Sequence, residues 1–132
     1  MDCPVCKEGM VVLELDEVEV DYCLACKGIW LDEGELELLL EGGKEEKNKF
    51  LAAFEVDRET KEKARKCPIC RKQMVKVLCG EEKKIRIDKC KKEHGIWFDE
   101  GELEEVIKAG SGPEGQKVLE LLKDMFGKSV NG

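Results

Sequence analysis

The sequence predicts a small, metal-stabilised α+β protein made of two tandem units. Each unit is a β-hairpin with two cysteine knuckles, followed by a capped helix; a helical connector and a C-terminal amphipathic helix complete the chain. Three observations predict this. The stretch GIWLDEGELE at 28–37 returns as GIWFDEGELE at 95–104, identical at nine of ten positions. Metal-ligand spacings precede each copy: Cys3-x2-Cys6 and Cys23-x2-Cys26 before the first, Cys67-x2-Cys70 and Cys90-x3-His94 before the second. Each copy then runs into an apolar stripe of helical period.

A duplicated unit of about 40 residues cannot bury enough apolar surface to fold alone, and needs a metal or disulfides. Eight cysteines would allow a disulfide framework, but no apolar signal segment follows Met1 and no apolar run approaches a membrane span. The repeated C-x2-C pairs suit metal in a reduced cytoplasm better than disulfides. Each C-x2-C turn aims two thiolates at one point, and a hairpin returns a second pair to complete a zinc tetrahedron. The sequence therefore predicts two zinc ions per chain in two zinc ribbons. The expected ligands are Cys3, Cys6, Cys23 and Cys26, then Cys67, Cys70, Cys90 and His94.

The eighth ligand has two candidates. Cys79 stands at the far end of its hairpin, roughly 15 Å along a strand from Met74, too far for a zinc bond. His94, the chain's one histidine, stands where the missing cysteine is needed.

The elements follow in order. The first hairpin is Met10 to Leu15, a turn at Asp16-Glu17, and Val18 to Tyr22, whose return strand alternates apolar and charged residues. Gly9 and Gly28, close after cysteine pairs, are expected to supply positive φ. Trp30 is expected between ribbon and helix. Asp32 with Glu35, and Asp99 with Glu102, have capping-box spacing, which gives them a structural role. Leu36, Leu39 and Leu40, and later Leu103, Val106 and Ile107, form the stripes, with Gly42 and Gly110 as stops. The second hairpin spans Met74 to Cys79 and Lys83 to Asp88, around Gly80-Glu81-Glu82. These elements divide the chain into a first ribbon with its helix (1–42), a charged helical connector (43–66), a second ribbon with its helix (67–110) and the last helix (111–132). The connector carries Glu59–Lys63 and Glu62–Lys66 at i,i+4 spacing, with a break expected near Asp57. Ser111 with Glu114 suggests a cap for the last helix, whose apolar face runs from Val118 to Phe126.

The arrangement of C-P-x-C, hairpin, C-x2-C and G-I-W-L-D-x-G-E-L resembles the transcription-factor-IIB-type zinc-finger family of small prokaryotic proteins. The likeness covers residues 3–40 and 67–107, with Cys90-x3-His94 the departure from its pattern. It implies the ribbon fold and, by the family's name, a link to the ribbon with which a general transcription factor engages RNA polymerase.

Charge narrows the function. The chain's net charge is −7, but residues 1–42 hold twelve acids against two bases, and residues 71–92 nine bases against three acids. An acidic protein is a poor nonspecific nucleic-acid binder. The basic hairpin lacks the aromatics of a stacking platform, so nucleic acid is possible there but not favoured. No nucleophile–base pair, phosphate loop or HExxH helix is present. Two classes remain. The first is a noncatalytic zinc-binding module for protein interaction, with the transcription machinery as a possible partner. The second is zinc chemistry at the second, Cys3His site, as carrier, redox sensor or metalloenzyme. Three apolar helix faces on small ribbons also lead to the expectation of a homodimer.

Overall fold

A computed structural model describes residues 1–80, 85–111 and 116–131, with side chains of the last helix described for 117–124. The turn at Glu81-Glu82, the proposed cap partner Glu114, and the side chains of Met125 and Phe126 lie outside the described residues. The strands are β1 (Val11–Leu15), β2 (Val18–Tyr22), β3 (Ile29–Asp32), β4 (Glu55–Val56), β5 (Val75–Cys79), β6 (Ile85–Lys89) and β7 (Gly95–Phe98). The helices are α1 (Glu35–Leu39), α2 (Lys44–Ala52), α3 (Glu102–Ser111) and α4 (Gln116–Asn131).

Each half builds a three-stranded antiparallel meander, β1-β2-β3 and β5-β6-β7. Val-rich β1 turns into β2 through Asp16 and Glu17, both at positive φ (50° and 68°), as a two-residue hairpin turn of matching twist requires. The two meanders then join. β3 pairs antiparallel with β7, giving one seven-stranded sheet of order β1-β2-β3-β7-β6-β5-β4. In the register Ile29 faces Phe98, Trp30 faces Trp97, and Leu31 faces Ile96. Exchanging the two repeats maps this ladder onto itself, with the Trp30–Trp97 pair at its centre. The repeated string is therefore the contact between the two copies, an intramolecular version of an isologous interface.

Alternation along the strands separates two cores. Ile29, Leu31, Val77, Ile87 and Phe98 face the helices, where they meet Leu39, Leu103, Ile107, Val118 and Leu122, all buried. Trp30 and Trp97 point to the opposite face, among Cys3, Cys23, Cys67, Cys90 and Met74. The expectation that Trp30 sits between ribbon and helix is thus corrected: it occupies the odd position out in Ile29-Trp30-Leu31 and lies on the metal-bearing face. Within one chain the helices cover the apolar faces from which a homodimer was expected, including Leu36, Leu39 and Leu40 and, from α4, Val118, Leu119 and Leu122.

Other local expectations shift for physical reasons. The connector is helical only over Lys44–Ala52 and then extends as β4 along β5. Glu62 is drawn to Arg86 and Lys76 rather than to Lys66. Gly110 does not stop a helix; it lies inside α3, where a Cβ would come within 2.7 Å of Leu40 Cδ2 and of the Phe50 ring. Ser111 ends α3, and its Oγ accepts the Glu41 backbone N–H at 2.9 Å. No helix among the described residues is long and apolar enough to cross a membrane.

Candidate metal centres

Four tight turns carry the eight predicted site residues. Cys3 to Cys6 and Cys67 to Cys70 precede the hairpins, and a backbone bridge flanks each turn, Asp2 with Gly9 and Lys66 with Gln73. Cys23 to Cys26 follows β2, and Cys90 to His94 follows β6. The reversal in each turn needs one left-handed residue: Lys7, Lys27, Arg71 and Glu93 take φ of 70°, 65°, 62° and 61°. That corrects the assignment to Gly9 and Gly28, neither of which has positive φ. Gly28 is small for another reason: a Cβ there would lie 2.2 Å from Trp97 Cζ2. One at Gly95 would lie 2.3 Å from the Leu31 carbonyl oxygen and 2.5 Å from Trp30 Cζ2. Each glycine makes room for the other copy's tryptophan.

The turns converge in two groups. Donor atoms of Cys3, Cys6, Cys23 and Cys26 all lie within 4.8 Å of one another, as do those of Cys67, Cys70, Cys90 and His94. Cys3 Sγ is 3.9 Å from Cys26 Sγ, and Cys6 Sγ is 3.5 Å from Cys23 Sγ. In the second group Cys70 Sγ is 3.8 Å from Cys90 Sγ. His94 Nδ1 is 3.4 Å from Cys90 Sγ and 4.0 Å from Cys67 Sγ. A tetrahedron with zinc–sulfur bonds near 2.3 Å has edges of about 3.8 Å, so these separations fit a shared zinc ion; they are far too long for disulfides. His94 stands one place later than Cys26 does in the repeat, and the imidazole recovers the difference. Cys79 is buried in the helix-side core, where its Sγ lies 3.6 Å from the Ile85 carbonyl oxygen.

Backbone amides support the sulfurs. Cys3 Sγ accepts from Val5 N–H (3.3 Å), Cys23 Sγ from Cys26 N–H (3.3 Å), Cys67 Sγ from Ile69 N–H (3.4 Å) and Cys90 Sγ from Lys92 N–H (3.4 Å). Such bonds orient thiolates and spread their charge. Burial pushes the Cys67 thiol up to about 11. Burial acts the same way on Cys90, but the backbone N–H groups of His94 and Lys92 outweigh it and bring that thiol down to about 7. The donor chemistry, soft sulfur with one imidazole in closed sets of four, suits two zinc ions per chain.

The repeated acids do part of their expected work. Glu35 and Glu102 reach back to the backbone N–H of Asp32 and Asp99, at 2.6 and 2.8 Å. The aspartate side chains, however, do not cap helices: each accepts the indole N–H of its own tryptophan, Trp30 to Asp32 at 2.9 Å and Trp97 to Asp99 at 3.0 Å. Gly34 stands at the α1 N-cap without a side-chain bond. The capping box is therefore half formed, because a buried indole N–H outbids the helix end for the carboxylate. The sequence reading also missed a buried ion network. Lys76 and Asp88 pair at 2.6 Å while only 6% and 1% exposed, with Arg65 joining Asp88 at 3.7 Å and Asp99 beside it. Lys76 and Asp88 at directly opposed strand positions were the available signal.

A family model described as a transcription factor zinc-finger matches residues 2–42 and again 66–109. No curated protein and no solved structure matches the chain. With both copies matched over more than half its length, and with both donor sets closed as that fold requires, the chain belongs to the transcription factor zinc-finger family as a tandem zinc ribbon.

Proposed function

We propose that this chain is a noncatalytic zinc-binding module that presents a rigid surface to another protein, as an adaptor associated with transcription. Cys3, Cys6, Cys23 and Cys26 hold one zinc; Cys67, Cys70, Cys90 and His94 hold the other. The observation that carries this reading is the closure of both donor sets, four side chains each within 4.8 Å. A catalytic zinc keeps a position open for water or substrate, whereas four protein donors leave none. Ribbons of this family are generally noncatalytic. The zinc supplies folding energy, on the order of 10 kcal/mol per site. Unbridged thiols poised for metal suit the reducing cytoplasm. Another protein is the favoured partner, because Leu36, Leu39, Leu40, Val118, Leu119 and Leu122 of the apolar helix faces are buried within the chain.

X-ray absorption on the zinc-loaded protein, with affinity capture from native lysate before and after nuclease, tests the reading. The expected outcome is four protein donors at both zincs and a protein partner that survives nuclease. A water ligand at the second zinc, or rapid zinc transfer to an apo-acceptor, would favour the metalloenzyme or carrier reading instead. Capture abolished by nuclease would point to nucleic acid.

A further inference from the structure

The two halves share their strands but differ in what lies across them. After β4, residues 57–65 run without regular structure along the metal-bearing face of the β5–β6 hairpin. Charges tie this strap down. Asp57 and Glu62 pair with Arg86 at 2.8 and 2.6 Å, and Glu62 reaches Lys76 at 3.7 Å. Arg65 lies against Asp88 and Asp99. β4 meanwhile adds to the outer edge of β5, with Glu55 opposite Leu78 and Val56 opposite Val77.

The first half keeps the acids of this network and has lost its cations. In the repeat register Asp21 stands for Asp88 and Asp32 for Asp99, but Val12 stands for Lys76 and Glu19 for Arg86. Met1 stands for Arg65: each places its carbonyl at the same ladder position, where it accepts Met10 N–H at 2.9 Å and Met74 N–H at 2.7 Å respectively. Around Asp21 stand Asp32 and Glu19, opposed by the amino group of Met1. Among the described residues none of these three acids makes an ion pair. β1 is the outermost strand on its side of the sheet, with Val11 and Val12 37% and 62% exposed. In the second half the same carboxylates hold an ammonium and a guanidinium brought by the chain itself.

We infer that the bare edge and face of the β1–β2 hairpin dock an extended basic segment of a partner protein. The segment adds to β1 as β4 adds to β5, and sets lysine or arginine against Glu19, Asp21 and Asp32. This deepens the reading of the chain as a protein-interaction module and rests on it. Strand addition draws affinity from main-chain hydrogen bonds and specificity from alternate side chains. Exposed Val11 and Val12 offer the apolar contact. The acids select the sign of the partner and repel phosphate backbones.

The test uses the full zinc-loaded chain and a fluorescent synthetic peptide in which lysine and arginine alternate with valine and threonine. A second peptide keeps the charge but carries prolines, which cannot donate to a ladder. The variant Val12→Lys with Glu19→Arg transplants the second half's residues onto exposed positions, and its zinc content checks that it folds. The wild type is expected to bind the first peptide, with amide shifts concentrated at Val11–Leu15. Affinity should fall about tenfold or more with the prolines and with the double variant. No binding by the wild type, or equal binding of both peptides, overturns the inference, as does equal binding to the variant. Self-association through β1 also overturns it, because a second copy would then be the occupant. If the peptide fails while lysate capture still yields a protein partner, this surface is wrong and the module reading stands.

Discussion

Asp32 and Asp99 hold the indole N–H of fully buried Trp30 and Trp97, and that bond sets what their loss costs. Asp32→Ala strands a buried donor and should cost roughly 1–3 kcal/mol, more than a lost helix cap on an exposed surface. Asp99→Ala should cost more than Asp32→Ala, since it also frees Arg65 from its partner. Chemical denaturation of the zinc-loaded variants checks the order, and equal losses would sink the assignment. Glu102 carries a pH signature. Burial, reinforced by Asp99, Asp88 and Glu62, raises its carboxyl from 4.5 to about 7, despite the Asp99 N–H. The unfolded chain therefore releases this proton first as pH rises. Stability should fall between about 4.5 and 7 and level off above. Glu102→Gln keeps an acceptor for the Asp99 N–H and removes the titration. The difference between the two stability curves should grow across that window in favour of the variant; a flat difference refutes the role.

At the scale of elements, the second knuckle and the central ladder each make a prediction. Cys90 to His94 spends one residue more than Cys23 to Cys26 before its fourth donor, whereas Cys79 is buried in the helix-side core. Cys79→Ser should keep two zincs per chain, and His94→Ala should leave one, by elemental analysis. The opposite pattern would reverse the ligand assignment. In the ladder, Gly28→Ala or Gly95→Ala drives a methyl into the other copy's tryptophan or backbone. Each should cost ~3 kcal/mol, at the upper end of overpacking penalties, and a neutral result would show the ladder looser than drawn. The hairpins, knuckles and helical stripes were legible in the sequence because each is local: ligand spacing, strand alternation and helical period lie within a few residues. The β3–β7 pairing was not, because it joins positions 67 residues apart in the repeat and leaves no local period. Its trace is that the repeated string contains GIW, the segment that meets its own copy. The strap and its ions escaped for the same reason: Arg65 and Glu62 look like helix-surface charges until β6 is beside them.

For the whole molecule, one sheet separates two cores of different character. The helix-side core is mostly aliphatic, with Tyr22 and Phe98 among its buried members, and α1, α3 and α4 close it. The other face is a thin layer in which Trp30, Trp97 and Met74 lie among cysteines of both zinc sites. The two ribbons are therefore halves of one body, although their ligands are local to each repeat. Net charge follows the same division: the first half is acidic, while the second half neutralises its own carboxylates with Lys76 and Arg65.

The tryptophan pair at the centre has a consequence for how metal is gained and lost. Loss of one zinc loosens its cysteines, and those cysteines wall the pocket in which both indoles sit. The remaining centre then rests against a softer neighbour, so the two sites share a coupling free energy, and by linkage each must help the other equally. Occupancy should rise steeply rather than in two independent steps. In the His94→Ala variant the surviving first centre should surrender its zinc to a chelator about fivefold or more readily than in the wild type. Unchanged affinity there would mean that the paired indoles insulate the two centres. A chain behaving as expected would respond to zinc scarcity more sharply than two independent sites would.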